Sequence, residues 1–83
     1  MESLEKVLLD LIEPIVDDFS SVSVKRLPTL DEEEIVLCVY AKGDDIARLI
    51  GKKGNMANAL RQMMTVAGRV SGEKISVKFE SYE

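Results

Sequence analysis

Eighty-three residues, 46% of them hydrophobic, suffice for one small domain with a single core and not for two. One cysteine, Cys38, excludes an internal disulfide, and the lack of histidine removes the commonest general base and metal ligand. The net charge of −4 excludes a surface that is basic throughout.

The charge is unevenly spread. Residues 1–41 hold three basic and ten acidic side chains, a net of −7. Residues 42–69 hold six basic (Lys42, Arg48, Lys52, Lys53, Arg61, Arg69) and two acidic (Asp44, Asp45), a net of +4. A footprint on phosphate needs local charge, so the central block is the place to look for one. The N-terminus lacks the basic start and apolar block of a signal peptide. The longest apolar run, Ile35 to Ala41, is seven residues and too short to span a bilayer. A soluble, cytoplasmic, single-domain protein over 1–83 is expected, with no membrane partner.

Leu4, Val7, Leu8, Leu11, Ile12, Ile15, Val16 and Phe19 repeat at helical spacing, which predicts an amphipathic N-terminal helix over 3–19, kinked at Pro14. The remaining core is expected over 22–80. Val22 and Val24 alternate with polar residues and read as a strand that Pro28 ends. Pro28 to Glu34 is an acidic connection, and its Asp31-Glu32-Glu33-Glu34 run reads as a solvated turn. Ile35 to Tyr40 is apolar on both faces, which predicts the central strand, antiparallel to the first. Cys38 within it is expected to be a buried small hydrophobe.

After Lys42-Gly43, Asp44 or Asp45 is expected to cap a short helix through Ile46, Leu49 and Ile50. The chain is helical again from Asn55 to about Val70, with Ala57, Leu60, Met64 and Ala67 on one face. Met56, Met63 and Val66 widen that stripe, and Met56, Met63 and Met64 are expected to be core or interface filler. Ser71-Gly72 stops the helix, and Ile75, Val77 and Phe79 form the buried face of a last strand. The order α-β-β-α-α-β predicts an α+β fold: a three-stranded mixed sheet with three helices on one face. The two-helix crossover makes the second and third strands parallel.

Between the last two helices stands Gly51-Lys52-Lys53-Gly54. Two glycines let another backbone approach, two lysines add positive charge, and the helix starting at Asn55 directs its free N–H groups to the same place. That combination suits a grip on a nucleic-acid backbone. The run Leu49-Ile50-Gly51-Lys52-Lys53-Gly54 resembles the I-G-x-x-G signature of KH domains, and the element order is similar to their type II form. A lone domain of this kind resembles the small bacterial KhpA group. The resemblance implies binding of single-stranded RNA, about four nucleotides in a groove, with single-stranded DNA left open. It implies a role as RNA chaperone or post-transcriptional regulator, beside a larger KhpB-type KH protein. Unlike many KH domains, the chain has a small residue, Ala57, three positions after the second glycine.

The candidate site is therefore Gly51, Lys52, Lys53, Gly54 and Asn55 for the phosphates. Ile46, Leu49 and Ile50 are candidates for an apolar floor under the bases, with side chains from the central strand. Arg48 and Arg61 are candidates for base edges or phosphate. Four aromatics argue against a stacking platform of the RRM or OB type. No spacing suits a catalytic dyad, so an enzyme, a cofactor and a metal are not expected. Two functions stay open: an RNA clamp, or a KH-fold dimerisation and adaptor module whose RNA contact belongs to a partner. Either is expected to pair as a homodimer or as a heterodimer with a KhpB-type protein.

Overall fold

The computed structural model describes residues 3–31 and 33–82; Met1, Glu2 and Glu32, which entered the sequence reading, and Glu83 lie outside them. The elements run α1 (Leu4–Ile12), β1 (Ser23–Leu27), β2 (Glu34–Ala41), α2 (Gly43–Ile50), α3 (Asn55–Ser71) and β3 (Lys74–Ser81). The sheet order is β1-β2-β3. β1 is antiparallel to β2, with Lys25 opposite Cys38. β3 is parallel to β2, with Leu37 opposite Val77. The mixed sheet, the central β2 and the parallel crossover follow the expectation. This is an α+β fold consistent with the type II KH topology.

The alternation along β2 decides what covers each face. Ile35, Leu37 and Val39 join Leu8, Ile12, Leu49, Leu60, Met64, Ile75 and Val77 in one core between sheet and helices. Burying each such side chain contributes about 1.5–3 kcal/mol. On the opposite face Cys38 is free and buried, as expected, and pairs across the strands with Lys25, whose ammonium lies 5.7 Å from the centre of the Tyr40 ring; Tyr40 stacks on Tyr82 at 6.1 Å.

α1 starts where Ser3 Oγ accepts a hydrogen bond from the Lys6 amide at 3.2 Å. Its end corrects the expected kinked helix over 3–19. The helix stops at Ile12 because Pro14 has no N–H to offer the turn before it. The Ile15 and Val16 amides both return to the Ile12 carbonyl, at 2.8 and 3.3 Å. That turn brings Ile15 and Val16 back onto the same core.

Asp45 also departs from expectation. Neither Asp44 nor Asp45 caps α2, whose N-cap is Lys42 without a side-chain bond. Instead Asp45 is buried and accepts from the Asp17 and Asp18 amides at 2.9 and 3.0 Å, and from Arg48 Nη1 at 2.9 Å. Asp18 in turn caps no backbone amide; it accepts from Lys42 Nζ at 2.7 Å and from the Ser20 and Ser21 hydroxyls. The chain after α1 is thus clasped to the start of α2.

These contacts hold both carboxyls below the usual range. For Asp18 the first cause is the Lys42 ammonium; for Asp45 it is the Asp17 amide, against the pull of burial. A depressed folded-state pKa stabilises above the ordinary carboxylate value, about 3.9, and the benefit is lost as the pH falls through the lower folded value. Asp45→Asn should therefore lower the melting temperature at pH 7 and flatten the loss of stability below about pH 4. Thermal melts across that range check both.

Candidate nucleic-acid interface

The loop between α2 and α3 is built from three left-handed residues. Gly51 has φ 74°, Lys53 φ 57° and Gly54 φ 78°. Gly51 ends α2 by donating its amide to the Ala47 carbonyl at 3.0 Å. Its ψ of 179° is a conformation that essentially only glycine adopts. A β-carbon there would sit 2.6 Å from the Met56 Cβ, so α2 and α3 meet where Gly51 has no side chain. The Gly54 amide closes the turn on the Gly51 carbonyl at 3.2 Å. Nothing lies within 4 Å of where a Gly54 β-carbon would be, so that face is open.

Lys52, Lys53 and Asn55 are exposed around this turn. Gly54 is the N-cap of α3; no side chain caps the first turn, and no acidic residue stands in it. The positive end of a 17-residue helix therefore points at the same space as the two lysines. An anion is the group that fits there.

The other sequence candidates separate. Ile50 is exposed beside the loop and Ile46 is half-buried on the core. Leu49 is fully buried in the core, so its side chain offers no surface to a ligand. The central strand cannot line the floor either, since its helix-side residues are core. The accessible wall is β3, an edge strand packed along α3. Arg48 turns to Asp45, in a shallow cavity of about 210 Å³ shared with Asp17, Asp18, Lys42 and Asp44. Arg61 turns to the β3 edge: its Nε donates to the Val77 carbonyl at 3.3 Å and its guanidinium lies 5.5 Å from the Phe79 ring centre.

Thr65 and Arg69 follow Arg61 at four-residue steps along α3. They line a cavity of about 530 Å³ with Gly72, Glu73, Lys74 and Ile75. The sequence reading missed Thr65, Arg69, Lys74 and Phe79 as wall residues, although the spacing Arg61, Thr65, Arg69 marks one helix face. Glu33, near the end of the acidic β1–β2 connection, lies at the C-terminal end of α3, where the Lys74 amide donates to its carbonyl at 3.0 Å. Along α3 that end is about 24 Å from the glycine loop, so its charge does not oppose the loop directly.

A small α+β domain with a bare cationic turn between two helices, flanked by an edge strand, is the architecture of a KH domain. The family model described as KhpA/KhpB, KH domain, matches residues 5–79, and the chain belongs to that family. It is 30% identical over 82 residues to the RNA-binding protein KhpA of Bacillus subtilis (strain 168), covering 99% of this chain and 96% of that one. It is 31% identical over 74 residues to the RNA-binding protein KhpA of Clostridium perfringens (strain 13 / Type A), covering 88% and 96%. The RNA-binding protein KhpA of Listeria monocytogenes serovar 1/2a (strain ATCC BAA-679 / EGD-e) is 25% identical over 75 residues, covering 90% and 96%.

Proposed function

We propose that this chain binds single-stranded RNA, with the sugar-phosphate backbone seated on the 51–54 loop and the bases directed along the β3 edge. The observation that carries the reading is the loop itself: a side-chain-free turn, flanked by two exposed lysines, at the uncapped start of α3. Lys52 and Lys53 neutralise phosphates, while the amides at the start of α3 receive their oxygens. Ile46 and Ile50 offer the apolar floor, and Arg61, Thr65 and Arg69 the polar wall. Arg48, held by Asp45, serves the fold more than the ligand. Single-stranded DNA fits the same groove unless 2′-hydroxyl contacts select RNA.

The chain works as a binding protein and not as an enzyme, in the cytoplasm, as an RNA chaperone or post-transcriptional regulator. It is a single KH domain over 1–83. It pairs with another KH protein, either a second copy or a KhpB-type partner, because one short clamp binds weakly and two add avidity. The support is the family membership and relatives named RNA-binding protein KhpA.

Titrating the protein with a single-stranded RNA of about four nucleotides, followed by amide NMR shifts, tests this. Shifts are expected at residues 51–57 and at Arg61 and Thr65, with α1 unmoved. Shifts confined to α1 or the open sheet face would overturn the assignment. Lys53→Gly supplies a second check, since Lys53 holds a left-handed conformation that disfavours any residue with a β-carbon. The glycine relieves about 1 kcal/mol and costs about 0.4–1 kcal/mol through the unfolded chain. Stability should hold or rise slightly in denaturant melts, while RNA affinity falls.

A further inference from the structure

The cavity of about 530 Å³ at the end of α3 is set apart from the glycine loop. Only Gly72 and Glu73 join α3 to β3, so the strand runs back along the helix. Arg61, bonded to the Val77 carbonyl and lying against Phe79, spans the two elements part-way along. The loop lies on one side of that bridge. The cavity, between Thr65 and Arg69 of α3 and Lys74 and Ile75 of β3, lies on the other.

Two opposite charges line this cavity without meeting. Arg69 and Glu73 both face it, yet among the described residues neither forms an ion pair. Between them the wall is bare. Gly72 has no side chain, and nothing lies within 4 Å of where its β-carbon would be. Ile75 buries its side chain but not its backbone edge. The Lys74 and Tyr82 amides donate to Glu33 and Ala41, on the β2 side. Alternate residues of a strand aim their N–H and C=O groups to opposite sides, so those of Ile75 point out at the open edge.

We infer that the cavity is a guanine subsite, filled by the base of the RNA strand farthest from the glycine loop. Guanine alone carries a paired acceptor edge, O6 and N7, beside a paired donor edge, N1–H and the N2 amino group. Arg69 donates to the first, and Glu73 accepts from the second. Adenine puts an amino group where guanine has O6, so it sets donor against the guanidinium. Cytosine and uracil each offer the carboxylate a single N–H group. A base enters such a site and a phosphate does not, because the negative end of α3 and Glu73 both stand there. Exposed Lys74 at the rim meets the phosphate instead. The volume is in the range of small-ligand sites, enough for a purine.

Anisotropy titrations with short oligouridylates, each carrying one guanine at a different position, test the subsite. Guanine near one end of the strand should bind about ten-fold tighter than uridine. Inosine, which lacks the N2 amino group, should lose much of that gain on the wild type and none on Glu73→Ala. Arg69→Ala should erase the difference between guanine and 7-deazaguanine, which lacks N7. These ratios compare ligands on one protein, so a change in folding does not mimic them. Equal binding of guanine and uridine at every position overturns the inference. So does a guanine–inosine difference that survives Glu73→Ala.

The inference rests on the proposed RNA reading for its strand but not for its pocket. Guanosine monophosphate in excess should shift the amide NMR signals of Gly72, Glu73 and Ile75, in the wild type and in Lys52→Asp/Lys53→Asp alike. Equal shifts from adenosine monophosphate overturn the subsite. Guanosine-specific shifts in a protein that binds no RNA would sink the RNA reading and leave the pocket standing. RNA held at the loop with no preference for guanine would do the reverse.

Discussion

Gly51→Ala should destabilise the domain by about 3 kcal/mol and Gly54→Ala by only about 1 kcal/mol, although the two glycines bracket one loop. Both have positive φ, so each alanine incurs the left-handed penalty of about 1–2 kcal/mol, which the gain of about 0.4–1 kcal/mol through the unfolded chain reduces to about 1 kcal/mol. Only at Gly51 does the new carbon also meet an obstacle, the Met56 Cβ at 2.6 Å and its backbone nitrogen at 3.0 Å. Those atoms cannot swing aside like the tip of a long side chain. The first turn of α3 must move, and overpacking of this kind costs about 1–3 kcal/mol more. A domain of this length has about 4–12 kcal/mol in total, so the Gly51 variant loses a large share. Denaturant melts of the two variants check the difference. Equal losses would mean that α2 and α3 do not approach closely at Gly51 in solution. The same contact has a functional side, because moving Met56 shifts the N–H groups at the start of α3 that the proposed phosphate site needs.

Features with a local cause were legible in the chain. The alternation of Ile75, Val77 and Phe79 gave β3 its buried side, and the double-faced apolar run 35–40 placed β2 in the middle. The glycine loop was legible because its cause lies within four residues. Features decided across the fold were not. The apolar phase of Ile15 and Val16 is compatible with a kinked helix and with a turn that returns to the same core; the structure selects the turn. A carboxylate at the start of α2 resembles a cap, but the amides that Asp45 accepts from lie 28 and 27 residues earlier. Arg61 finds its direction from the Val77 carbonyl, which is available because β3 is an edge. Met56, Met63 and Val66 look like a wider core stripe in sequence, yet the sheet covers only the arc of Ala57, Leu60 and Met64. A stripe broader than its partner surface must leave one side uncovered.

Lys52→Asp together with Lys53→Asp should weaken binding of short single-stranded RNA by at least about 100-fold at low salt. Both side chains are exposed, so neither substitution opens the core. Aspartate also tolerates the left-handed conformation at position 53 better than most residues, and the fold should survive. Each lysine in contact with phosphate provides a charge-assisted bond worth about 1.5–3 kcal/mol, and two of them account for the loss before the added repulsion. Neutral substitutions separate attraction from repulsion. With Lys52→Gln and Lys53→Gln, the slope of log affinity against log salt should fall by about 1.4, which is about 0.7 for each phosphate released on a single strand. The slope is the stricter test. Affinity also falls if the loop merely changes shape, whereas the slope counts ions displaced where lysine meets phosphate. A folded glutamine variant that binds less but keeps the wild-type slope would place the phosphates elsewhere, and the nearest other basic stretch is the Arg61 and Arg69 flank. Retained affinity together with a retained slope would remove RNA from the loop altogether, leaving a KH fold whose proposed work is pairing.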